Sequence, residues 1–156
     1  MTAQIDNADR LILDLVQDNS RIGLDVLAEE CSLSVPSVQR RLKRLRDTGV
    51  ISKEIALVDP ASLGYGMTFI VMVELERETL HQLDAFRKRA QSEPQVQQCY
   101  YVTGEADFTL ICTARDMQDF EQLTHRLFFN DGNVRRFRTS VVMDRSKVGL
   151  NVPCEK

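Results

Sequence analysis

Leu33-Ser-Val-Pro-Ser-Val-Gln-Arg-Arg-Leu-Lys-Arg-Leu-Arg-Asp-Thr-Gly-Val-Ile51 is the stretch whose reading decides the fold. Taken as a helix, it places Val38, Leu42 and Leu45 at i, i+4 and i+7, one apolar stripe. Arg40, Lys43 and Arg44 project roughly opposite the stripe, and Arg41 and Arg46 lie on its flanks. Ser34 stands where a side chain can cap the first turn, and Pro36 is tolerated there because first-turn N–H groups have no helical partner. Gly49 follows the last turn, where a left-handed residue commonly ends a helix. From residue 36 to 53 there are six basic residues (Arg40, Arg41, Lys43, Arg44, Arg46 and Lys53) against the single acid Asp47, a local balance of +5 in a chain of net charge −3. Residues 1–35 carry seven acids and two bases. A basic helix on a more acidic body has the pattern of a DNA-recognition helix, in which one face meets phosphate and the rest does not. A basic helix that is simply a solvated face is the competing reading.

The flanks decide between them. Asp6 can cap a helix carrying Ala8, Leu11, Ile12, Leu15 and Val16, ending near Asn19. A second, short helix over 24–31 carries Leu24, Leu27 and Ala28, and residues 31–34 form a tight turn into the basic helix. Three helices, the last two joined by a short turn, are a helix-turn-helix. Residues 50–58 are rich in β-formers and predict a strand, and 59–66 a turn-rich connector. The expected boundaries are a helix-turn-helix domain over 1–50, a strand and turn linker over 51–66, a second domain over 67–147 and a tail over 148–156.

The second domain reads as strand 67–75, helix 80–91, strand 96–103, strand 107–114, a helix capped by Asp116, a turn at 130–133 and strand 134–143. The two helices are expected to bury Leu80, Leu83, Ala85, Phe86 and Ala90, and Met117, Phe120, Leu123, Leu127 and Phe128. The order βαββαβ predicts a ferredoxin-like unit, so the whole is an α+β chain with a winged-type N-terminal domain. Both faces of the central strands look apolar, with Ile70, Met72 and Ile111 on the side that two helices cannot cover. A second copy of the sheet would cover it, which predicts a homodimer.

Composition is that of an ordinary globular protein, 43% apolar and 28% charged. No apolar run nears the roughly 18 residues of a membrane span, and the N-terminus lacks signal-peptide character, so a cytoplasmic protein is expected. Cys31, Cys99, Cys112 and Cys154 are widely spaced; the first three read as packing residues and Cys154 as a free thiol. His81 and His125 have no partner at catalytic or metal spacing, and no nucleotide-loop, zinc-hydrolase or nucleophile motif occurs. No metal, cofactor or enzyme activity is expected.

Taken together, the chain resembles the Lrp/AsnC (feast/famine) family of transcriptional regulators from Asp6 to about Lys147. The marks are Asp9-Arg-Leu-Ile-Leu13, Leu27-Ala28, Leu33-Ser34, Arg41-Leu-Lys-Arg-Leu45, Gly49-Val-Ile51, Asp59-Pro60 with Leu63-Gly64, and Val102-Thr-Gly-Glu-Ala-Asp-Phe108. The resemblance implies a regulator that dimerises through its sheet domain, often assembles to tetramers or octamers, and answers to a free amino acid or related molecule. For double-stranded operator DNA, arginine can fork onto guanine and glutamine onto adenine, making Arg40 and Gln39 candidate base readers. Ser34, Ser37, Lys43, Arg44 and Lys53 suit phosphate oxygens. Arg41 matches a typical family position, yet its angle near the apolar stripe leaves a structural role equally open.

The implied effector site lies around the glycine loop, at contacts between dimers. A turn at Gly104 lets backbone N–H groups approach a carboxylate, and Glu105 and Asp107 can pair with an ammonium group. By family position Tyr101, Thr103, Met117, Ser140 and Val142 would line the same region. A plain hairpin role for Gly104 and Asp107 stays open, since both are ordinary turn residues. An architectural DNA-wrapping protein of low specificity remains an alternative, and a haem-pathway decarboxylase-like enzyme a remote one, because it would leave the basic helix unexplained.

Overall fold

The computed structural model describes residues 4–130 and 132–154, so residues 1–3 of the N-terminus, Asp131 of the expected turn and the last two residues of the tail lie outside them. The chain divides into two units: residues up to Ala56 together with those from Lys147 onward, and Leu57–Ser146. The expected linker is thus shared between the two units, and the expected tail groups with the first.

In the first unit, helix α1 (Asn7–Asp18) starts at Asp6, whose side chain accepts from the Asp9 backbone while Asp9 reaches back to the Asp6 N–H, a capping box. Helices α2 (Leu24–Glu30) and α3 (Val35–Asp47) follow. The α2–α3 turn is set by Ser32 at φ 51° and a hydrogen bond from the Leu33 N–H to the Ala28 carbonyl. Ile12, Leu27, Ala28, Val38, Leu42 and Leu45 make the core, so the stripe read from the sequence is the buried one. Gly49 ends α3 at φ 74° as expected, and the Ile51 N–H bonds the Leu45 carbonyl. Ser34 occupies the N-cap position but its side chain makes no capping bond.

The strand expected over 50–58 does not form: the segment is coil, with Ile55 and Leu57 exposed. Strand propensity there has no ladder to join, because a strand exists only against a partner and none lies beside it among the described residues. Farther on, the tail returns to α1, where the Gln17 amide pairs with both backbone groups of Val152.

The second unit runs β1 (Met67–Leu75), α4 (Leu80–Ser92), β2 (Val96–Tyr101), β3 (Phe108–Ala114), α5 (Met117–Thr124) and β4 (Val134–Val141), with a π-turn at His125–Phe129. The sheet is antiparallel in the order β2-β3-β1-β4, the ferredoxin-like arrangement. One face, from Phe69, Val71, Val73, Phe108, Leu110 and Cys112, packs on Leu83, Phe86 and Ala90 of α4 and on Phe120, Leu123 and Leu127 beyond β3. Phe69 stacks on Phe120 with centroids 3.8 Å apart. Cys112 is a packing residue, its thiol pushed up to about 12 by burial. Leu80, Ala85 and Met117, expected on the buried stripes, are exposed instead, at helix starts and edges outside the sheet's footprint.

Among the described residues of this unit, no element covers the other face. The cross-strand rows there are Gln98–Ile111–Ile70–Ser140 and Tyr100–Thr109–Met72–Arg138. It is therefore apolar only along its centre, less than the sequence suggested, because β2 and β4 bring polar side chains to both rims. In the first turn of α5 a buried carboxylate, Asp119, accepts from Gln95 and from Arg115, whose guanidinium holds it down at about 2. Phe69→Ala removes the stacked pair at the centre of the core and is expected to cost about 3–5 kcal/mol, read as a lower urea midpoint.

Candidate DNA-binding and effector sites

On α3 the residues that sequence reading grouped as one basic face separate into paired and unpaired ones. Asp9, which that reading placed only in a family motif, is 1% exposed and lies where α1 meets α3. Its carboxylate accepts from Arg41 Nη1 at 2.8 Å and from Arg44 Nη2 at 2.5 Å. Arg41 also reaches Asp6 at 2.8 Å, and Arg44 donates to the Gln4 carbonyl. Burial by itself would push the Asp9 carboxyl up; the hydrogen bonds from Arg44, the Asp6 backbone and Arg41 outweigh it and hold it at about 2. The spacing of Asp6 and Asp9 announced the capping box, but no local signal announced a partner 32 and 35 residues away.

Lys43 pairs with Asp47 one turn on, and Arg46 with Glu54 at 2.8 Å. Of the six basic residues, only Arg40 and Lys53 have no carboxylate partner among the described residues, and both are exposed. Gln39 is exposed beside Arg40, while Ser34 and Ser37 sit at the α3 N-terminus, Ser34 exposed and Ser37 half-buried.

In the second unit the glycine loop joins β2 to β3. Gly104 has φ 119°, a conformation L side chains rarely adopt. Asp107 is occupied: its Oδ2 accepts from the Leu75 N–H at 2.7 Å, where β1 shifts register against β4, and its N–H donates to the Val73 carbonyl. Its carbonyl also accepts from the Val102 N–H across the β2–β3 loop, so its backbone closes the loop while its side chain ties it to β1. Glu105 is exposed, with its carboxylate 3.5 Å from Arg138, which also bonds Glu74. Thr103 is exposed, and the half-exposed Tyr101 ring lies on Phe108 with the Arg87 guanidinium 5.1 Å above it.

Met117 and Val142 are at the other end of the sheet, and Ser140 is midway along it. Ser140 pairs with Ile70, Val142 bonds the Thr68 carbonyl, and Met117 follows Ala114, the partner of Met67. Val73, at the loop end, lies three residues along β1 from Ile70 and six from Met67, roughly 10 and 20 Å at strand rise. One chain does not bring the eight expected effector residues together. It presents two half-sets.

Residues 5–52 match the family model of a winged helix-turn-helix DNA-binding unit, and residues 68–152 that of the Lrp/AsnC ligand binding domain. Fold and matches define a DNA-binding transcriptional regulator with a ligand-binding domain, not an enzyme. The chain belongs to the Lrp/AsnC family. It is 44% identical over 152 residues to an HTH-type transcriptional regulator of Sinorhizobium fredii, covering 97% of this chain and 90% of that one. It is 33% identical over 149 residues to the leucine-responsive regulatory protein of Rhizobium meliloti, covering 96% of each. Among solved structures it is similar to a transcriptional regulator–L-Met complex from Neisseria meningitidis, with TM-score 0.89, 28% identity and coverage of 96% and 97%. No helix of the described residues is long and apolar enough to cross a membrane.

The depressed Asp9 acidity fixes the sign of a pH effect. The ordinary value is 3.8 and the folded one about 2, so the ionised carboxylate favours the folded state above about pH 4, and that gain is lost as pH falls through 2. Asp9→Asn is expected to lose about 2 kcal/mol at neutral pH, with the difference from the parent shrinking between pH 4 and 2 in denaturant titrations.

Proposed function

We propose that the chain is a sequence-specific regulator whose DNA affinity or assembly responds to a small effector, a free amino acid. The observation that carries the DNA half is the exposed, unpaired Arg40 beside Gln39 on α3: a guanidinium already committed to a carboxylate cannot fork onto a guanine without giving up that partner. Ser34, Ser37, Lys43 and Lys53 take phosphates, and Arg41 and Arg44 hold α3 in place through Asp9.

For the effector half, the match to a ligand-binding domain and the L-methionine held by the N. meningitidis regulator support an amino acid. The glycine loop supplies Tyr101, Thr103, Gly104, Glu105 and Asp107. Glu105 suits the ammonium group, since its carboxylate is exposed, whereas Asp107 supports the loop backbone. Met117 and Val142, at the far end of the sheet in their own chain, complete the site from a different copy, and Ser140 lies between the two sets. A second copy seated on the Ile70–Met72–Ile111 face makes the dimer, and contacts between dimers bring the half-sets together as a tetramer or octamer. Such a regulator works in the cytoplasm, where DNA and free amino acids meet.

Arg40→Ala is expected to weaken specific operator binding by about 1–3 kcal/mol with the fold intact; unchanged affinity removes Arg40 as a reader. Thermal-shift measurements against the common amino acids are expected to yield one responder, stabilising by about 2.7 kcal/mol at a hundredfold excess over Kd. Its response should vanish in Glu105→Ala. A response unaffected by that change moves the site away from the loop, and no response turns the reading toward an architectural DNA binder.

A further inference from the structure

The ion pairs along α3 are of two kinds. Lys43–Asp47 is 75% and 60% exposed, and Arg46–Glu54 is 47% and 41% exposed. Pairs so wet are weak, and an arriving phosphate can displace the carboxylate at little cost. Asp9 is the opposite case. Its carboxylate is out of water and accepts from Arg41, Arg44 and the Asp6 N–H. Leaving it unpaired is costly, so it keeps its arginines when DNA arrives. Arg44 meanwhile lies one turn beyond Arg40 on the same side of the helix and stays 39% exposed. Released, it would reach the same stretch of sugar-phosphate backbone.

We infer that Asp9 limits sequence-independent DNA binding: by holding Arg41 and Arg44 against α1, it withholds their charge from phosphate and leaves recognition to Gln39 and Arg40. This rests on the reading of α3 as the DNA-facing helix. The buried acid is then a specificity-determining residue that touches no DNA. It acts through the arginines it retains.

The test measures binding to a 30-bp duplex of arbitrary mixed sequence by fluorescence anisotropy across a salt series, with folding checked by circular dichroism. Asp9→Asn keeps the shape of the side chain and removes its charge. The slope of log K against log salt is expected to steepen by about 0.9 for each arginine that gains a phosphate, with affinity several-fold higher at low salt. A slope unchanged or shallower in the folded variant overturns the inference. Should Asp9→Asn fail to fold, Arg44→Gln decides: a charge already withheld leaves the slope as it was, and a loss of about 0.9 overturns the inference. Lys43→Gln, which removes an α3 charge assigned to phosphate, separates this from the underlying reading. Its slope must fall by a similar amount, and if it does not, α3 is not the DNA-facing helix.

Discussion

A carboxylate placed out of water between two helices must be answered by cations, and Asp9 is answered by two from a single helix. That constraint organises the DNA-binding unit. The apolar stripe of Val38, Leu42 and Leu45 fixes which side of α3 is buried, but a stripe tolerates sliding and rotation by small amounts. Two directional hydrogen bonds from Arg41 and Arg44 do not. They set the turn of α3 against α1, and with it the direction in which Arg40 and Gln39 project. The same contacts spend much of the basic charge that the sequence displays, so the helix offers DNA fewer free cations than its composition suggests.

The sheet unit obeys a different constraint. Two helices cover one face of four strands, and the remaining face carries Ile70, Met72 and Ile111 between polar rims. Rims of this kind give a self-association register, since polar groups left unpaired cost more than apolar ones left loosely packed. The antiparallel ladder also separates the glycine loop, at Val73, from Val142, at Thr68, by five residues of β1.

Much of this was legible in the sequence because it is local. Helical spacing, Pro36 near the start and Gly49 after the end located α3, and the alternation of strands with two helices gave the βαββαβ order. The exceptions depend on what lies far along the chain or outside it. Residues 50–58 have strand propensity but no partner strand, so they remain coil. Asp107 reads as either a ligand-binding or a turn residue, and its bond from the Leu75 N–H, 32 residues away, has no local signal. Asp9 was legible only as part of a family motif, and only the packing of α1 on α3 reveals its two arginines. Family position grouped eight effector residues that strand register divides into two sets.

The measurement that bears most directly on the account is selection of bound duplexes from a random-sequence pool with the full chain. A symmetric assembly reading bases through Gln39 and Arg40 should enrich a two-fold site whose half-sites lie about one helical turn, or a multiple of it, apart. Recovery of duplexes with no shared sequence, bound no more tightly than the starting pool, would contradict it.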